Sequence, residues 1–299
     1  MAVNKPNFIV IGAMKSATTS LYSYLKQHPD IFMTKVKEPM FFNNYKNKKI
    51  YKTFGTKLRK YHNIEEYYSL FDDVDGQVSI GEASPSYIYS VNAPRLIKDN
   101  LPNVKIIAIL RQPTDRAYSN FIHARRSGKE PIDDFQKAIE AEAIRIKNNY
   151  SPLFHYINKG YYSTQLSRYY NCFPKENIKV FLFEDIINDT HETLKNIFNF
   201  LGVDSSFQID VSKKYNISGH PRGFFGFLLK KMRYYRLMPK FALSDYLPNF
   251  IIRILFSSVY TDVEKISKEF RSNITERYFS DEIKSLQNMI ERDLSHWLK

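Results

Sequence analysis

Three short runs constrain this chain most: "FIVIG" (8–12), "VKIIAIL" (104–110) and "IKVFLF" (178–183). A strand with one wet face alternates polar and apolar residues. These runs are apolar almost throughout, which requires burial on both faces, as in a parallel sheet covered by helices. "VSIGEAS" (78–84) is a fourth, weaker strand. Helical patterns alternate with the strands. Residues 18–27 set Leu21, Tyr24, Leu25 and His28 on one face, with Thr18 or Thr19 as the cap. Helices are also predicted over 114–127, 132–148, 162–171, 190–201 and 263–296. The alternation specifies an α/β fold with a central parallel β-sheet flanked by helices.

We read residues 1–299 as a single domain without internal repeats. Residues 203–223 form a loop, and the basic, aromatic stretch 224–262 is a lid, an acceptor-side helical insertion, a membrane-touching surface, or helices packed on the core. No apolar run approaches the ~20 residues that span a bilayer. The start, "MAVNKPNFIVIG", is polar before the first strand and reads as no leader, so a cytoplasmic location is expected. One cysteine, Cys172, excludes an intrachain disulfide and a Cys-based metal site, and is expected to be buried. A net charge of +13 favours anionic partners without naming one.

The chemistry begins where the first strand turns into the first helix, in "GAMKSATTS". Backbone N–H groups at a helix start lack intrahelical acceptors, and with the helix dipole they attract an anion. Ser16, Thr18, Thr19 and Ser20 add hydroxyls, and Lys15 adds a full charge. The bland alternative is a capped helix with a surface lysine. A triphosphate loop places glycine directly before its lysine; here Met14 stands there, and only Gly12 serves the turn. The loop suits one phosphate group.

The second strand ends at Arg111, whose planar fork suits another phosphate, and Ser119 lies eight residues on in the next helix. An ion pair at a strand end is the competing role for Arg111. Two separated phosphate sites match a nucleotide phosphorylated at both ends of its ribose. Glu184 and Asp185 after the "VFLF" strand are the counter-signal, since a metal-binding strand of a kinase or NTPase ends this way.

"KSATTSLYSYLKQHP", "KEPMFF" and "LRQPTDRAYSNF" resemble the signature blocks of sulfotransferases that use 3′-phosphoadenosine 5′-phosphosulfate (PAPS), above all the carbohydrate type that includes heparan sulfate N- and 3-O-sulfotransferases and their bacterial relatives. "KGYYSTQLSRYY", "FEDI", "SGHPRG" and "LSHWL" extend the likeness over most of the chain. The resemblance implies a P-loop-like three-layer fold. It implies that Lys15, Ser16, Thr18 and Thr19, with Ala17 and Ser20 in the same loop, hold the 5′-phosphosulfate. Arg111 and Ser119 would hold the 3′-phosphate, and Arg222 would fold over the nucleotide. PAPS is then the sulfuryl donor and adenosine 3′,5′-bisphosphate (PAP) the product. Relatives commonly carry glycine where this chain has Ala17, so the backbone there is expected at negative φ. Some animal relatives carry lysine where this chain has Ala83, which weakens the expectation of a heparan-like polyanion as acceptor.

Sulfuryl transfer needs an in-line nucleophile, a base and surrounding cations, and no metal is expected; none of the seven histidines forms a ligand pair. By the same resemblance Glu38 in "KVKEPMFF" is the general base and Lys15 stabilises the leaving phosphate. Phe41 and Phe42 would raise the pKa of Glu38 and the neighbouring lysines would lower it. A structural ion pair with Lys15 or Lys37 is the alternative for Glu38. Glu82 is the reserve base, and His123 and His155 are candidate acceptor contacts. The acceptor is a glycan or a small polar molecule, with no nucleic acid expected. A P-loop kinase or NTPase, and a non-enzymatic basic glycan- or nucleic-acid-binding protein, remain the competing functions.

Overall fold

The computed structural model describes residues 3–44, 61–212, 220–221, 260–261 and 266–299. Five strands, β1 (Phe8–Gly12), β2 (Ile31–Met33), β3 (Ser79–Ala83), β4 (Lys105–Leu110) and β5 (Ile178–Leu182), form one sheet in the order β2-β3-β1-β4-β5. Every pairing in it is parallel. The four predicted strands are present, and β2 adds the sheet edge from the extended "IFM".

Alternate residues of each run enter opposite cores. Ile9 and Ile11 of β1 join Ile106, Ala108 and Leu110 on one face. Phe8 and Val10 join Ile107 and Ile109 on the other. This two-sided burial explains why the runs carry no polar alternation.

The helices are α1 (Thr18–Leu25), α2 (Phe41–Asn44), α3 (Ile64–Tyr68), α4 (Ala93–Asn100), α5 (Pro113–Arg126), α6 (Phe135–Glu140), α7 (Glu142–Lys147), α8 (Tyr162–Tyr170), α9 (Phe183–Asn188), α10 (Thr190–Leu201) and α11 (Lys268–Ile290). Leu21 and Leu25 of α1 pack with Leu194, Ile197 and Phe198 of α10 on one face. Residues of α4, α5, α8 and α11 cover the other face, completing three layers.

Two predicted helices differ from expectation. The helix read over 132–148 is two, meeting at Ala141. The second turns Glu142 inward, where its carboxylate accepts the Ile157 and Asn158 N–H groups at 2.7 and 2.8 Å. The helix read over 263–296 runs from Lys268, capped by Ser267, to Ile290, where Glu291 takes a left-handed conformation. Cys172 is half-buried against the core rather than within it. The stretch 224–262 lies outside the described residues, apart from the backbone of 260–261, which pairs antiparallel with 220–221. Among the described residues no helix is long and apolar enough to cross a membrane.

One polar anchor ties the C-terminal segment to the start of α5. The Gln112 side chain accepts from the Asp115 N–H at 2.8 Å, capping α5, and donates to Thr275 Oγ1 at 2.8 Å and the Trp297 carbonyl at 3.2 Å. Gln112 is fully buried, so these bonds satisfy a group that water cannot reach.

Candidate active site

The site is built on the carboxyl ends of the parallel strands, where β3 and β4 flank β1 on either side. The register of β1 against β4 slips by one residue between Val10 and Gly12, a bulge that re-aims the chain as it leaves the sheet. A side chain at Gly12 would place its Cβ 2.5 Å from Ile88 Cγ2, so only glycine fits there. The Ala13 N–H then bonds the Ile109 carbonyl at 2.7 Å, holding the loop against β4.

Lys15 and Ala17 both adopt left-handed backbone conformations, at φ 70 and φ 60. This overturns the expected negative φ at Ala17. The relatives' glycine marks a genuinely left-handed position, and alanine holds it here at a cost of about 1 kcal/mol. The capping expectation also changes. Ala17, not a threonine, is the N-cap of α1, and no side chain caps the helix. The first-turn N–H groups are left for an external acceptor. The Ser16 hydroxyl is fully buried and has no hydrogen-bond partner among the described residues. An uncapped helix start beside an orphaned buried hydroxyl and a lysine fits a phosphate or sulfate oxygen cluster.

A cavity of about 240 Å³ opens over this loop. Lys15, Thr18 and Thr19 form one wall, and Lys37 and Glu38, from the loop after β2, form another. Ser119, His123 and Arg126 descend from α5 at spacings of four and three residues, one helix face. Ser16 and Ser20 do not line the cavity, although Ala17 does. A larger cleft of about 800 Å³ runs along β5, past Lys179 and Glu184, and contains none of the predicted phosphate-binding residues.

Charge is concentrated in the smaller cavity. Burial, together with Arg126, Arg111 and Lys37, lowers the Lys15 ammonium to a pKa of about 8. Burial and the charges of Lys15, Arg126, Lys129 and Lys159 lower His123 to about 4, so its ring is neutral at physiological pH. Lys37 donates to Thr19 Oγ1 at 2.5 Å and stands 3.8 Å from Glu38 Oε1. The ion pair expected of Glu38 therefore exists but is loose. Glu38 is itself left-handed, at φ 56, and its side chain is about one-third exposed (36%).

Arg111 reaches the loop from outside this cavity. Its Nη1 donates to the Lys15 carbonyl at 3.4 Å, and its guanidinium lies over the Phe183 ring at 4.5 Å. The Tyr162 hydroxyl donates to the Arg111 carbonyl at 2.9 Å, fixing the strand end. Arg222 lies outside the described residues. His155 is buried away from the cavity, with its Nδ1 2.7 Å from the Tyr89 hydroxyl. The acidic pair after β5 is occupied. Asp185 takes both Arg292 η-nitrogens at 2.6 and 2.9 Å, and Glu184 accepts from the Trp297 indole at 3.2 Å. The kinase reading loses one of its two motivating features, the acidic pair, and keeps the other, the opening turn.

Glu82, the reserve base, is fully buried and does not line the cavity. Tyr67 and Tyr87 donate to its Oε1 at 2.9 Å each, and Ser84 donates to Oε2 at 2.6 Å. Burial raises its pKa to about 7, against the opposing pull of these hydroxyls. A carboxylate enclosed in this way cannot reach an acceptor.

The sequence assigns Lys37 only an ion-pair role beside Glu38, and Arg126 and Lys159 none. Lys37 and Arg126 line the cavity. Lys159 is 6% exposed, donates to the Met14 sulfur at 3.4 Å, and is lowered by burial to about 7. Arg126 was legible as the seventh residue after Ser119; nothing in the spacing pointed to Lys159.

The family model described as "Sulfotransferase domain" matches residues 5–217. Human carbohydrate sulfotransferase 15 is 26% identical over 254 residues, covering 66% of this chain and 44% of that protein. The human bifunctional heparan sulfate N-deacetylase/N-sulfotransferase 3 is 28% identical over 209 residues, covering 66% of this chain and 22% of that protein. The chain thus spans less than half the length of these relatives. A crystal structure of a sulfotransferase from Alicyclobacillus acidocaldarius superposes with a TM-score of 0.76 at 28% identity, covering 99% of this chain and 100% of that one.

Proposed function

Because the chain belongs to the sulfotransferase domain family, we propose that it transfers a sulfuryl group from PAPS to a hydroxyl or amine of a carbohydrate acceptor. The observation that carries this reading is the single cavity in which Lys15, Thr18 and Thr19 face Glu38. A cradle for an anionic donor and a carboxylate base thereby share one space. The relatives named for carbohydrate and heparan sulfate transfer support a sugar acceptor.

PAPS supplies a sulfuryl group already activated on a phosphate leaving group. The uncapped amides of α1, the Ser16 and Thr18 hydroxyls and Lys15 would hold the 5′ end, and Arg111 and Ser119 the 3′-phosphate. Glu38 accepts the proton of the attacking hydroxyl or amine as the new S–O or S–N bond forms. Lys15 offsets the charge gathering on the phosphate oxygen as its bond to sulfur breaks. These are positioning and electrostatic tasks, performed by fixed donors in a partly enclosed site. We assign the protein no metal requirement and a cytoplasmic site of action as part of the same proposal.

Titration calorimetry tests the donor. PAP is expected to bind in the micromolar range without added metal, and ATP–Mg²⁺ at least about 100-fold more weakly, a gap of about 3 kcal/mol. Tight ATP–Mg²⁺ binding with no response to PAP would overturn the reading. Transfer from radiolabelled PAPS to N-desulfated heparan sulfate and to a glucosamine oligosaccharide free of sulfate and carboxylate groups tests the acceptor class.

The lowered pKa of Lys15 gives that binding a pH dependence. With its pKa at about 8, Lys15 is mostly charged at pH 7 and mostly neutral at pH 9. An anion beside it favours the charged form, so binding takes up a proton once the free ammonium has titrated. PAP affinity is expected to fall about tenfold per pH unit above 8. Lys15→Arg should flatten that slope, because guanidinium stays charged throughout the range. An equal slope in both proteins would assign the titration to another group.

A further inference from the structure

Glu82 is buried too deeply to touch a substrate, yet its partners lead to the segment that carries the proposed base. Each of its three hydroxyl neighbours has one proton, and all three protons are spent on the carboxylate. Their oxygens are left to accept. Ser84 Oγ takes the Met40 N–H at 3.0 Å, and Tyr87 Oη takes the Phe42 N–H at 3.3 Å. Pro39, between Glu38 and Met40, has no N–H to offer.

The segment needs such anchors. Glu38 and Met40 are both left-handed, at φ 56 and φ 53, conformations that non-glycine residues keep only when their surroundings impose them. Phe42 is fully buried, and the Phe41 ring stacks on the ring of Tyr67 at 4.7 Å. Tyr67 itself donates to Glu82. Ring packing thus sets the depth of the segment, and the two N–H bonds set its twist.

We propose that Glu82 is a positioning residue for sulfuryl transfer. By fixing the hydroxyl protons of Ser84 and Tyr87, it turns their oxygens toward the Met40 and Phe42 amides and holds Glu38 at the cavity wall. This rests on the reading of Glu38 as base. It differs from a generic role in the core because removing the Glu82 charge acts through a defined pair of amides. A glutamine at position 82 presents an NH₂ group to one side of the network. At least one hydroxyl must then accept from it and turn its own proton elsewhere, which disturbs the lone-pair geometry that holds the Met40 or Phe42 N–H.

The full chain with Glu82→Gln, and the milder Ser84→Ala, provides the test. Hydrogen–deuterium exchange over 38–44 is expected to accelerate by about tenfold or more at Met40 and Phe42 in Glu82→Gln, and at Met40 alone in Ser84→Ala. PAP affinity should stay within about twofold in both variants, because neither residue is assigned to the donor site. With labelled PAPS and N-desulfated heparan sulfate, Glu82→Gln should lower kcat by about 10- to 100-fold at unchanged KM for PAPS. Added to Glu38→Gln it should cost less than about twofold more, since a positioning effect vanishes once the positioned carboxylate is gone. Unchanged exchange at Met40 in both variants would overturn the inference, as would an equal kcat loss in both backgrounds. If Glu38→Gln turned over normally, the reading of Glu38 would fail instead, and the exchange data would still decide the anchoring. Ser84→Ala keeps the test decisive if Glu82→Gln does not fold.

Discussion

Glu38→Gln is expected to slow sulfuryl transfer by about 1,000-fold while leaving PAP affinity within about twofold, the signature of losing a general base. Glutamine keeps the shape and most of the hydrogen-bonding capacity of the side chain but cannot accept a proton. Glu38 lines the same cavity as Lys15 and, among the described residues, makes one loose ion pair, to Lys37. Its removal therefore leaves no buried partner stranded, and the cost should fall on the chemical step. Single-turnover transfer from labelled PAPS, with PAP binding measured in parallel, separates the two effects. A variant that turns over like the parent protein would favour a non-enzymatic binding function. One that loses PAP binding as well would make Glu38 a structural counter-ion of the lysines.

Arg111→Ala carries the second large effect, a loss of about 100-fold in PAP affinity, in the range expected for deleting a charge-assisted contact from a mostly buried site. The guanidinium is already placed by its bond to the Lys15 carbonyl and by the Phe183 ring, so little ordering is left for the ligand to drive. Specificity is the sharper measurement. Adenosine 5′-monophosphate lacks the 3′-phosphate, and its affinity should change by less than about threefold in the same variant. Equal losses for both nucleotides would mean that Arg111 supports the loop rather than the 3′-phosphate.

The sheet was legible because burial on both faces leaves a compositional mark. "FIVIG", "VKIIAIL" and "IKVFLF" have almost no polar residue to assign to a wet face, and each became a strand within a residue of its expected limits. Lys15, Arg111 and Glu38 were legible for another reason. Each follows a strand directly or within a few residues, and parallel topology brings all such ends to one edge of the sheet. What stayed hidden depends on contacts between distant segments. The left-handed Ala17 is imposed by a tight loop that neighbouring residue types do not encode. Glu82 lies within β3 and Glu38 follows β2, and only the enclosure of the first by Tyr67, Ser84 and Tyr87 separates the proposed anchor from the proposed base. Asp185 looked like a metal ligand until Arg292, 107 positions away, took up its carboxylate.

Gln112 makes the extent of the functional unit larger than the segment the family model matches. The family match ends at residue 217, and by then the chain has supplied every described residue that lines the cavity. Yet the residue next to Arg111 is fastened to Thr275 and to the Trp297 carbonyl, both beyond that limit. The last helix and final turn therefore serve as a keystone. They touch no ligand in the proposed reaction, but they close the arch from which Arg111 and the Ser119–Arg126 face are hung. A chain trimmed to the matched segment would retain the described residues that line the cavity and lose the abutment that holds them in place.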